Sequence, residues 1–212
     1  MMMNLFSTFD PCTGKFSMNW MSMMMFLMIM PSMFWMLKNN QMMLTYMLFK
    51  MINKEIMMNS KYKSISIIMM SMMMLIMINN MMGLLPYVFT ATSHMSISIS
   101  MSLPIWMSYM IYGWTKNNKM MMANLLPKNS PTLIMPFMIM IELVSNIIRP
   151  ISLSVRLSAN MIAGHLLFTL MGEKNMIMMM SIMLIMMIFE MAVSIIQSYV
   201  FMTLMSLYSS EV

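Results

Sequence analysis

From Ser64 to Thr115 the chain contains no aspartate, glutamate, lysine or arginine. Such a run folds only where hydrocarbon replaces water, because about 20 apolar residues already carry a helix across a bilayer core about 30 Å thick. In that solvent every backbone N–H and C=O must be satisfied within the chain, so helices are the expected spans. The helix-breaking cluster GLLPYVFTATSH, Gly83 to His94, divides the run into two crossings. The whole chain follows suit: 60% of its 212 residues are hydrophobic, 8% are charged and the mean hydropathy is +0.77. Soluble domains carry about 25% charge. One all-α integral membrane domain is expected over residues 1–212.

Other breaks in hydropathy set its organisation. Phe16 to Leu37 is uncharged and long enough for a first transmembrane helix, with Pro31 a candidate kink. Residues 38–63 interleave lysines with Met, Leu, Phe and Ile, the pattern of a basic amphipathic helix on the membrane surface. Residues 64–115 give two transmembrane helices, and 116–131 a polar loop. Two long C-terminal helices follow, 133–171 and 176–208, reversed at the turn GEKN. Both exceed a perpendicular crossing, so they are expected to be tilted or horizontal. The total is about five to six helices. Trp20, Trp35, Trp106 and Trp114 mostly lie towards span ends, where tryptophan anchors to the interface.

Cys12 is the one cysteine and there are two histidines, so neither an internal disulfide nor a Cys/His metal cluster can form within the chain. The 48 methionines occupy positions where Leu, Ile or Val would serve equally well as lipid-facing groups. All the lysines fall in termini, loops and turns, whereas both arginines fall inside a predicted helix. The lysine-bearing segments 38–63 and 116–131 lie on one side, which the positive-inside bias assigns to the cytoplasm or the mitochondrial matrix.

The arginines are the informative residues. On a helix, positions seven apart nearly superpose, so Glu142, Arg149, Arg156 and Ala163 share a face, with Ser145, Ser152 and Asn160 beside them. A charge at the bilayer centre costs at least ~2.5 kcal/mol on insertion scales, so each arginine needs an acid, water or another protein. Glu142 can answer Arg149. Arg156 then has no acid in its own helix, and the other intramembrane acid is Glu190 on the next.

The segment RLSANMIAGHLL, Arg156 to Leu167, resembles the signature of the subunit a family of the ATP synthase membrane sector in its mitochondrial form. The resemblance extends to NMMGLLPYVFTATSH at Asn80 to His94, to NLFSTFDP at Asn4 to Pro11, and to the spacing of Glu142, Arg149, Arg156, Asn160, His165, Glu190 and Gln197. It implies a multi-pass protein of the mitochondrial inner membrane that translocates protons between two half-channels. It also implies a c-subunit ring, further membrane-sector and peripheral-stalk subunits and the lipid bilayer as partners. In that resemblance Arg156 is the stator arginine facing the ring's carboxylates, and His165 and Glu190 belong to the half-channels. Asn160, Gln197, Glu142 and Arg149 complete the proton-translocating set, and Asn80 is a candidate channel-lining residue. His94 is expected at the interface without a proton role. No phosphate loop is present and no residues suit nucleotide chemistry, so no catalytic residue, cofactor, metal or nucleic-acid partner is expected.

Two other classes accommodate buried Arg, Glu and His. One is an ion-coupled transporter or respiratory-complex membrane subunit, for which no inverted repeat is seen. The other is a purely structural membrane scaffold.

Overall fold

The computed structural model describes residues 5–12, 17–29, 39–60, 63–85, 87–116, 118–126, 131, 133–172 and 176–211. Pro31, Trp35 and residues 173–175 of the expected GEKN turn lie outside these. The described residues are helical or irregular: α1 (Met25–Ile29), α2 (Asn40–Asn59), α3 (Lys63–Gly83), α4 (Met95–Lys116), α5 (Asn118–Asn124), α6 (Met135–Gly172) and α7 (Met176–Glu211). Short 3-10 helices precede α1 at Leu5–Phe9 and Met18–Met24, and another, Ala91–Ser93, precedes α4.

Among the described residues, three helical segments are long and apolar enough to cross a membrane: Ser64–Gly83, Met135–Gly172 and Met180–Ser210. The 22-residue α4 has the length, but serines and tyrosines dilute its apolar side chains. At 1.5 Å per residue, the 38 residues of α6 and 36 of α7 run to roughly 55 Å, well beyond one bilayer core.

Small residues set how closely these helices approach. The buried face of α6 reads Pro150, Leu153, Ser154, Leu157, Ser158, Met161 and Gly164, and it packs on α4, where Ser98 and Ser102 are buried at the same four-residue spacing. Along α7, Ser194 and Ser198 repeat the device against α3. Small side chains four apart let backbones draw together where lipid provides no hydrophobic drive between helices. Each serine satisfies its own hydroxyl by donating back along the helix, as Ser154 does to Ile151 O at 2.8 Å and Ser198 to Ile195 O at 2.7 Å. Between these stripes, Met69, Met73 and Ile76 of α3 meet Phe201, Met202 and Met205 of α7 in the apolar core, joined by Ile56 of α2.

Local structure differs from the sequence expectations in three places. Residues 18–24 form 3-10 turns where an unbroken span was expected. Asn19 and Ser22 lie in this stretch, and such side chains compete for backbone hydrogen bonds; Asn19 Nδ2 donates to Asp10 O at 3.5 Å. The expected polar loop contains α5, whose Met-Met-Met-Ala run favours helix. Trp106 is buried in the core and is no interfacial anchor, because its position falls on the α4 face that meets α6. Between α3 and α4 the chain reverses through Tyr87, whose φ of 68° is the left-handed turn conformation.

Candidate functional site

Three helices converge at the centre of the candidate site. Gly83 ends α3, Met161, Gly164 and His165 lie on α6, and Glu190 lies on α7. Glu190 is 7% exposed, and its carboxylate rests against Gly164: a Cβ added there would sit 2.5 Å from Oε2 and 2.6 Å from Cδ. Gly83 is similarly enclosed, its imaginary Cβ falling 3.2 Å from Met161 Cε and 2.9 Å from Thr90 Cγ2. The missing side chain at Gly164 therefore makes the room in which the acid lies, while the one missing at Gly83 lets the end of α3 close on Thr90 and Met161.

His165 follows Gly164 on α6 and reaches the end of α3. Its ring is hydrogen-bonded to the Gly83 backbone and contacts Phe9 edge-on, with ring centroids 6.2 Å apart. Its Nε2 is buried without a partner. No hydrogen bond joins His165 to Glu190, the expected relay pair, among the described residues. Ser194, one turn beyond Glu190, donates to Met81 Sδ at 3.3 Å and ties α7 to the last turns of α3. On those turns Asn80 is 1% exposed with Oδ1 unpartnered, and the neighbouring Asn79 Nδ2 is unpartnered too. An unmet buried polar atom costs about 1 to 3 kcal/mol, so this end of α3 favours any donor or acceptor that reaches it.

Arg149 and Arg156 have opposite fates. Arg149 Nη2 lies 3.6 Å from Glu142 Oε1, and its guanidinium stacks 5.4 Å from the centre of the Tyr208 ring. It pairs within its own helix and also clamps α6 to the end of α7. Arg156 lies on the exposed face of α6, two positions from the buried Ser154 and so on the far side of the helix. It has no ion pair or hydrogen bond among the described residues. Around it Ser152, Val155, Ala159 and Ala163 are also exposed, a surface of mostly small side chains. Asn160, one turn away, and Gln197, seven positions from Glu190, are each partly buried, without a hydrogen-bonded protein partner among the described residues.

The remaining polar groups lie apart. His94 packs tilted against Trp20 and Phe89, at centroid distances of 5.1 and 5.3 Å, in a cluster where those two rings also meet edge-on. Cys12 is exposed, and its thiol is pushed up by the hydrogen bond it donates to the Asp10 carboxylate and by that group's negative charge, which keeps it protonated. Among the described residues no three His, Cys, Asp or Glu side chains come together as a metal site.

The sequence marks out the charged and amide residues but not Gly83, Gly164, Ser194 or Thr90, whose roles appear only where helices meet. A helix-interior glycine beside a histidine was the available signal, since glycine there costs about 1 kcal/mol against alanine unless packing requires it.

Fold and site together define a multi-pass helical membrane protein that carries fixed ionisable groups between and upon its helices. Comparison with known proteins makes this specific. Residues 16–210 match the family model of the ATP synthase A chain. The ATP synthase subunit a of Locusta migratoria is 45% identical across the full length of both chains. The ATP synthase F(0) complex subunit a of Rhopalosiphum padi is 46% identical over 98% of this chain and 99% of its own. The Drosophila melanogaster subunit a is 43% identical over the whole of both. The chain belongs to the ATP synthase A chain family, the proton-translocating component of the synthase membrane sector. That membership selects the rotary ATP synthase over the transporter and scaffold alternatives.

Proposed function

We propose that the chain is the non-catalytic stator subunit that passes protons to and from a rotating ring of c subunits in the mitochondrial inner membrane, with Arg156 as the charge that separates two half-channels. The observation that carries this reading is the isolation of Arg156. It projects from the outer face of α6 among small side chains, and neither intramembrane acid of its own chain pairs with it. Its anion has to come from another subunit.

A guanidinium suits that position because it stays protonated and accepts no hydrogen bond, so it attracts a carboxylate without relaying a proton. At 4 Å and an effective dielectric near 20 a unit pair interacts by about 4 kcal/mol. That is roughly a thousandfold in the balance between ionised and protonated carboxyl. A ring carboxyl arriving at Arg156 therefore loses its proton. Leaving for the lipid it must be neutral, so it first takes a proton from the other half-channel. Each charge moved through the membrane field is worth about 2.3 kcal/mol per 100 mV, which drives the rotation.

The path towards the ring on one side runs past Glu190, Gly164 and His165. Unpartnered polar atoms of His165, Asn80 and Asn79 line this region, and a buried polar group is stable there only if water or a moving proton carrier reaches it. Asn160 lies one turn from Arg156 and Gln197 two turns from Glu190, places from which their amides orient water between acid and arginine. Glu142 and Arg149 form a fixed pair towards the α6 N-terminus, and in this reading they hold the wall of the second half-channel.

A density map of the assembled membrane sector tests the placement. A carboxylate of the c ring is expected opposite Arg156, with further membrane-sector and peripheral-stalk subunits around the chain. Only lipid opposite Arg156 contradicts the assignment.

A further inference from the structure

A crevice of about 420 Å³ opens between α2 and the first half of α3, within the 300 to 1,000 Å³ range of small-ligand sites. Its composition changes along its length. Asn53 lies at the end nearest the α2–α3 connection and Lys50 one turn farther, beside Phe49; Met70 and Met74 give the α3 wall an apolar character farther along, with Tyr46 and Ser71 also lining that part. Met74 is eleven residues past the start of α3 at Lys63, roughly 16 Å along the helix. At the rim Ile67 is 74% exposed, so the crevice opens sideways to whatever surrounds the helices.

Two polar groups in it lack partners. Lys50 is exposed and makes no ion pair among the described residues; the acid on the same helix, Glu55, accepts a hydrogen bond from Tyr199 on α7 at 2.9 Å. The side-chain oxygen of Asn53 is buried without a hydrogen-bond donor. The site thus offers a cation, an unmet acceptor and a hydrocarbon slot, in a chain of net charge +6.

We propose that this crevice binds one anionic phospholipid. Its phosphate pairs with the Lys50 ammonium, a hydroxyl of its headgroup donates to Asn53, and one acyl chain lies along Phe49, Met70 and Met74. Lysine's long stem lets the ammonium reach the headgroup level while its methylenes stay in the apolar wall. Basic pockets between membrane helices on the positively charged side select anionic headgroups. The bound lipid closes the gap between α2 and α3, fastening the surface segment to the bundle. This site is independent of the rotary role.

The test uses the assembled synthase in phosphatidylcholine vesicles containing a phosphatidylglycerol with a diazirine on one acyl chain. After illumination, labelled peptides are mapped by mass spectrometry. Label is expected to concentrate on Ile67 to Met74 and to be displaced by unlabelled phosphatidylglycerol, but not by inorganic phosphate. Lys50→Gln is expected to reduce it roughly fivefold, the equivalent of the ~1 kcal/mol that a lysine contributes at an anionic surface. Equal labelling of that segment by a diazirine phosphatidylcholine overturns the proposal, as does displacement by phosphate or labelling unchanged by Lys50→Gln. If the variant does not assemble, the competition on the unaltered complex decides alone.

Discussion

The carboxylate of Glu190 lies against the backbone of Gly164, so close that a methyl group on that glycine would come within 2.5 Å of Oε2. Van der Waals contact begins about 1 Å farther out. The position of the buried acid on α7 is therefore fixed by a missing side chain on α6.

Gly164→Ala is expected to displace the Glu190 carboxylate and slow proton translocation, because a shift of about 1 Å in a reacting group costs on the order of 100-fold. ATP-driven acidification of vesicles containing the assembled complex measures it. Shortening the acid in the double variant with Glu190→Asp gives back part of the rate. Normal acidification by Gly164→Ala alone would mean that the acid is not part of the path.

Glu190→Gln keeps the shape of the side chain and removes its ability to give up a proton. Proton flux is expected to fall at least about tenfold, within the range general acid–base groups contribute. Subunit content on native gels is expected to stay unchanged, because Gln occupies the same space beside Gly164. Flux equal to that of the unaltered protein assigns Glu190 a packing role only.

Ser198 is fully buried at the α3–α7 contact and its hydroxyl is already satisfied within its own helix. Ser198→Ala is expected to be nearly neutral, whereas Ser198→Leu forces the helices apart at a cost of about 1 to 3 kcal/mol. The readout is the temperature at which the subunit leaves the detergent-solubilised complex. A leucine variant as stable as the alanine one contradicts close packing here.

Arg149 holds α6 to the end of α7 through Tyr208 while pairing with Glu142. Both groups of the ion pair are over 30% exposed, and such pairs contribute at most about 1 kcal/mol. The cation–π contact adds about 0.5 to 1 kcal/mol. Tyr208→Leu is thus expected to lower complex stability by under about 1 kcal/mol, seen as a small drop in the same dissociation temperature. A large loss would place Tyr208 in a role beyond the clamp.

Much of this was legible in the sequence because hydrocarbon permits so little. An uncharged run marked the segments of α3 and α4, long apolar stretches with few charges marked α6 and α7, and seven-residue spacing put Arg149 beside Glu142 and left Arg156 without an acid. The rest depended on how helices meet. Nothing in the local sequence says that Trp106 turns into the core, that Met18 to Met24 winds as 3-10 turns, or that Gly164 makes room for Glu190. Glycine has no polarity or period to reveal its purpose; only the side chain from the facing helix does. Likewise His165 and Glu190, suggested as a pair by their chemistry, share no hydrogen bond among the described residues.

The central claim is that Arg156, exposed and without a carboxylate of its own chain, acts on one carried past it. The most direct measurement is ATP-driven proton pumping by assembled complexes bearing Arg156→Ala, reconstituted in sealed vesicles. Pumping is predicted to be abolished with the complex intact; pumping at the normal rate would contradict the account.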